Sequence, residues 1–185
     1  MTQPGFESPV SFRVNVARLP QKGLPVRIEA DETQRAALAR EHGLLEVRNY
    51  RTDLVASPWK AGGVRIAGSV TADIVQECVV TLDPIDARVE TDISALFVPE
   101  GSRLAAWPGS ESEMVLDPDG PDAPETFRGD EIDVGALAEE FFVLAIDPYP
   151  RKAGAVAEAL PSQDEEVRGP LAEKLAKFRA GPQKS

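Results

Sequence analysis

The sequence of 185 residues predicts an α+β fold. The expected architecture is an antiparallel β-meander or partly closed barrel of five or six strands around a long central hairpin. One helix precedes the hairpin, a packed helix follows it, and an amphipathic helix closes the chain. Three observations carry this reading. Over residues 64–80 every second side chain is small or apolar (Val64, Ile66, Gly68, Val70, Ala72, Ile74, then Gln76, Cys78 and Val80), with mostly polar residues between them. A second alternating run follows: Ala87, Val89, Thr91, Ile93, Ala95 and Phe97 against Arg88, Glu90, Asp92 and Ser94. A period of two places successive side chains on opposite sheet faces, so each run is a half-buried strand. Residues 82–86, with Pro84 fixing φ, read as the turn between them. The third observation is the switch to helical spacing after Asp133.

Before the hairpin, Phe12, Val14 and Val16 alternate weakly, residues 24–29 give another extended segment, and residues 19–23 form a turn. Asp31 begins a helix, since it is a good N-cap and Gln34 completes a capping-box pair. Gly43 stands where a left-handed C-terminal cap belongs. His42, the single histidine, lies in the last turn and reads as a capping residue rather than a catalytic base. Residues 44–57 form a strand whose phase slips: Leu45 and Val47 define one face, while Tyr50, Leu54 and Ala56 have the other parity. A bulge near Asn49 reconciles them. Residues 58–63 form a turn.

After Phe97 the composition changes. Acidic residues crowd residues 99–131, from Glu100 to Glu125 and Glu131, and prolines and glycines break any period. Such a stretch buries too little apolar surface to offset its ordering entropy, so it reads as a mobile acidic loop. Asp117, Asp119 and Asp122 lack the rest of a calcium-loop pattern. Asp133 then caps a helix with Val134, Leu137, Ala138, Phe141, Leu144 and Ala145 on one face, broadened by Phe142, Val143 and Ile146. It stops at the Asp-Pro-Tyr-Pro run ending in Pro150. Residues 151–185 read as a helical C-terminal extension of the same single domain, spanning 1–185. In it Leu171, Leu175 and Phe178 form an apolar stripe, and Lys174, Lys177, Arg179 and Lys184 a basic end.

The composition bounds function. The net charge is −11, which argues against non-specific nucleic-acid binding by the whole surface, and no DNA partner is expected. It favours a basic protein partner through long-range fields. No apolar run nears the roughly 20 residues that span a bilayer. The first residues lack the pattern of a signal peptide, and one cysteine makes no internal disulfide, so the expected compartment is the cytoplasm. Glycine-rich phosphate loops and nucleophile elbows are missing. One histidine excludes multi-histidine metal sites. Cys78 falls on an apolar strand face as a buried structural thiol, and the side chains of Glu139 and Glu140 diverge by about 100° on a helix, so solvation or a cap contact is the expected fate of both. No enzyme, cofactor or metal is expected.

Three stretches in order are similar to the YceD family of large ribosomal RNA subunit accumulation proteins: VTADIVQECVVTLDP (70–84), IDVGALAEEFFVLAIDPYP (132–150) and GPLAEKLAK (169–177). The resemblance makes the chain a YceD-like domain and implies a role in accumulation of large-subunit ribosomal RNA, through precursor RNA or a basic large-subunit ribosomal protein. Asp133, Glu140 and Pro150 match the family's pattern, as fold determinants (cap, helix surface, helix stop). Many members carry Cys-x-x-Cys at the hairpin turn and further cysteines after the Pro-rich segment, in what looks like a zinc site. Here Thr81 replaces the second cysteine, and no cysteine follows Pro150. A lone thiolate assembles no tetrahedral site, so this corner is expected to be closed by apolar packing instead. Candidate RNA- or partner-binding residues are Trp59, Lys60 and Arg65 with the basic end Lys174, Lys177, Arg179 and Lys184. The alternative is an adaptor unrelated to ribosomes that docks through the Leu171, Leu175, Phe178 stripe.

Overall fold

A computed structural model describes residues 7–103 and 124–155. Apart from Gly154 and Ala155, all of these belong to the unit Met1–Ala153. The elements in chain order are β1 (Arg13–Asn15), β2 (Leu24–Glu29), α1 (Glu32–Glu41), β3 (Glu46–Pro58), β4 (Val64–Glu77), β5 (Pro84–Pro99), β6 (Glu125–Phe127), β7 (Glu131–Asp133) and α2 (Val134–Leu144). The fold is α+β. A five-stranded sheet in the order β2-β3-β4-β5-β6 stands beside a two-stranded β1-β7 ribbon, and neither closes into a barrel.

The long hairpin dominates. β4 and β5 pair without a slip from Val64↔Phe97 to Glu77↔Pro84. Val64, Ile66, Val70, Ala72 and Ile74 on β4, with Val89, Ile93 and Phe97 on β5, are buried on one face. The other face is wet and laced with ion pairs such as Arg88–Asp73. The turn comes earlier than its proline suggests. Cys78 donates its N–H to the Asp83 carbonyl and accepts from Leu82 N, so residues 78–83 form the connection. Pro84 opens β5, where a missing donor costs little.

β3 pairs with β4 and shifts register between Val47 and Asn49, the bulge that the phase slip predicts. Val47, Tyr50, Leu54 and Ala56 are all buried as a result, whereas Leu45 precedes the strand and is exposed. Gly68 on β4 is needed here, because a Cβ would lie 2.1 Å from the Asp53 carbonyl oxygen.

α1 has the complete capping box: Asp31 accepts from Gln34 N, and the Gln34 side chain accepts from Asp31 N. Gly43, at φ +65°, ends it.

Residues 104–123 of the acidic stretch lie outside the described residues. Its ends are strands: β5 reaches Pro99, β6 adds to it in parallel (Phe97↔Glu125 to Pro99↔Phe127), and β7 pairs with β1. The helix expected at the C-terminal end, with Leu171, Leu175, Phe178, Lys174, Lys177, Arg179 and Lys184, falls on residues outside the described ones.

α2 packs on β4 and β5 with a face turned from the expected one. Val134, Gly135, Leu137, Ala138, Glu139 and Phe142 are buried. Phe141 is half-buried, and Val143, Leu144 and Ala145 are exposed. The helix is rotated by roughly one residue step toward Phe142 and Glu139. Two contacts account for this. Phe142 meets the Tyr50 ring edge-on at 5.4 Å, and Glu139 finds a partner in His42, 2.7 Å away. Among the described residues no helix is long and apolar enough to cross a membrane.

Candidate functional site, an acidic cavity beside α2

The first turn of α2 organises the site. Asp133 caps it, its Oδ1 accepting from Gly135 N and Ala136 N. The same carboxylate accepts from Phe12 N and from the Ser11 hydroxyl. Partial burial opposes ionisation of Asp133, but these donors outweigh it and hold the carboxyl below its ordinary value. The N-terminal segment is thereby pressed against the helix. Val134 N donates to the Phe12 carbonyl, and a Cβ on Gly135 would lie 1.9 Å from Val10 O.

With α2 fixed on one side and β6 added to β5 on the other, a cavity of about 540 Å³ opens between them. Its walls carry Glu100, Glu125, Glu131, Asp133 and Glu140, against a single cation, Arg128. Arg128 is already engaged in a two-pronged pair with Glu100, at 2.5 and 2.6 Å, which holds the Glu100 carboxyl below its ordinary value. Glu125 and Glu140 are accessible to solvent, yet both are raised. Partial desolvation by the cavity walls is the larger cause; the second is a like charge, that of Glu140 on Glu125 and of Glu139 on Glu140. Carboxylates in this state gain most from an added cation.

The sequence-predicted site residues distribute as follows. Glu140 lines the cavity and Asp133 anchors it. Trp59, Lys60 and Arg65 lie at the far end of β3 and the start of β4, where Lys60 Nζ stands 5.9 Å from the Trp59 ring. Lys60 and Arg65 are exposed, and Trp59 is half-buried against a smaller cleft that includes Phe127. Among the described residues no hydrogen bond or ion pair joins these three to the cavity carboxylates.

At the hairpin tip, Cys78 is buried, but the corner is closed by polar contacts rather than the expected apolar packing. Cys78 Sγ accepts from Thr81 N and Lys152 N. Thr81 Oγ1 bonds to Asp83, which pairs with Lys152 Nζ at 3.0 Å. Val79 N donates to Pro150 O, and the Gln76 amide to Asp147 O. Thr81 brings a hydroxyl to this corner, which demands a partner of its own. Hydrogen bonds from Thr81 first, then from the Lys152 backbone, outweigh desolvation and bring the Cys78 thiol down to about 6.

Two arrangements escaped the sequence reading. Glu100, Glu125 and Glu131 read as loop residues because their convergence depends on the parallel β6 strand, which only three residues encode. Glu139 read as solvated or in a cap contact, and which cap was hidden, because its partner His42, the C-cap of α1, is 97 positions away. The only local signals were the density of carboxylates and a glutamate beside the apolar face of α2.

The cavity of this α+β scaffold is lined by carboxylates, an arrangement suited to receiving a cationic group. Residues 66–177 match the family described as "Large ribosomal RNA subunit accumulation protein YceD". The match covers more than half of the chain, and the chain belongs to that family. Its name ties the protein to a ribosome-related role in accumulation of the large ribosomal RNA. No curated protein and no solved structure matches the chain.

Proposed function

We propose that the protein is a non-enzymatic ribosome-biogenesis factor that supports accumulation of large-subunit ribosomal RNA by holding a basic large-subunit ribosomal protein during assembly. The observation that carries this reading is the acidic cavity, with five carboxylates facing one guanidinium that is already paired. Ribosomal proteins offer lysine and arginine side chains. Inserting one beside Glu125 and Glu140 offsets the desolvation and the like charge that raise both carboxyls and forms charge-assisted hydrogen bonds. The net charge of −11 adds steering toward a basic partner. The same charge opposes RNA as the direct ligand of this cavity.

The test is co-purification of the tagged protein with large-subunit proteins, comparing wild type with Glu125→Gln/Glu140→Gln. The expected result is recovery of one or a few basic large-subunit proteins, reduced at least tenfold in the double variant and weakened by salt. Recovery of ribosomal RNA without such a protein, unchanged in the variant, overturns the reading and favours contact through Trp59, Lys60 and Arg65.

A further inference from the structure

A second cluster of ionisable groups lies across α2 from the cavity residue Glu140. Glu41 ends α1, His42 caps it, and Glu139 reaches them from the middle of α2. One donor atom from each (a carboxylate oxygen, an imidazole nitrogen and a second carboxylate oxygen) lies within 4.8 Å of the others. The side chains of His42 and Glu139 are only 17% and 9% exposed.

Packing alone explains this cluster poorly. Glu41 Oε2 is sealed from solvent with no hydrogen-bond partner. Its carboxylate stands at a helix C-terminus, where the macrodipole disfavours negative charge. Among the described residues no lysine or arginine pairs with Glu41 or Glu139. Independently, the Tyr50 hydroxyl is buried without a partner, on a side chain only 1% exposed. The Tyr50 ring meets Phe142 edge-on, as the His42 ring does, and the phenol lies within reach of the Glu139 charge. Orphaned polar atoms of this kind require a partner.

We propose that Glu41, His42 and Glu139 form a binding site for a divalent cation of the zinc class, which ties the end of α1 to the middle of α2. A dication cancels both carboxylate charges, which one imidazole cannot do even when protonated. One nitrogen and two oxygens suit zinc or cobalt, whereas magnesium and calcium take six or more oxygens. Donors at about 2.0–2.2 Å from a tetrahedral ion stand roughly 3.4 Å apart, so the cluster tightens on binding. His42 then presents Nε2 as a lone pair and carries its proton on Nδ1. The fourth position falls to water, and Tyr50 is the buried group available to bond it.

The test uses the full chain, freed of metal with a chelator and titrated with zinc and with cobalt. One equivalent should bind, raising the thermal midpoint, and cobalt should give visible d–d bands without thiolate charge transfer. His42→Gln and Glu139→Gln should each weaken binding at least tenfold, and Glu41→Gln measurably. Cys78→Ser, which removes the only thiol, should leave binding intact. A wild-type chain that binds neither metal overturns the proposal. So does binding that is undiminished in folded His42→Gln and Glu139→Gln proteins, or that disappears in Cys78→Ser.

Discussion

Asp133 shows how much one side chain can hold. It caps α2, fastens the N-terminal segment and forms part of the cavity wall. Asp133→Ala should cost about 2–3 kcal/mol, combining a lost cap with hydrogen bonds to a charged group, and urea unfolding measures it. The folded pKa lies below the unfolded one, so this contribution is complete above about pH 4. It is lost as pH falls through the lower folded value, and the variant's stability should therefore converge on wild type in acid. Cys78 has the same sign at a different pH. With its thiol brought down to about 6, its contribution is complete above the ordinary thiol range and fades as pH falls to about 6. Thiolate absorbance should titrate near that pH in the folded protein and near the ordinary range in denaturant. Cys78→Ser removes both transitions.

Among the elements, the hairpin was legible and α2 was legible only in part. Alternation over β4 and β5 reports burial directly, because the period of a strand is fixed at two and one face is wet. The Asn49 bulge was legible for the same reason, as a phase slip. The face of α2 was not, since Phe141 and Phe142 offer equal apolar surface. The choice between them falls to Tyr50, and to His42 drawing on Glu139, contacts that no helical period encodes. The short strands β6 and β7 were hidden because three residues make no pattern. Phe142→Ala should cost about 3–5 kcal/mol, and Phe141→Ala clearly less; their ratio tests the rotated face. Gly135→Ala forces a Cβ onto the Val10 carbonyl and should destabilise by about 3 kcal/mol or more, despite alanine's better helix propensity.

For the whole molecule, the family was legible from three ordered stretches, whereas the cavity was not, since its acidic residues come from segments that only the folded sheet brings together. The cavity holds charge that the fold does not need. Glu125 and Glu140 have raised carboxyls, so their ionised forms are disfavoured on folding, and removing the charge relieves the protein. Glu125→Gln/Glu140→Gln should therefore unfold at the same temperature as wild type or higher at neutral pH, while losing its partner. A loss of function at undiminished stability separates a binding site from a structural one.

The most direct measurement is the ratio of large- to small-subunit ribosomal RNA in cells depleted of the protein and supplied with either wild type or Glu125→Gln/Glu140→Gln at equal abundance. The account predicts that depletion lowers the ratio selectively, that wild type restores it and that the double variant does not. Full restoration by the double variant would contradict a role for the acidic cavity, and an unchanged ratio on depletion would contradict the ribosomal role itself.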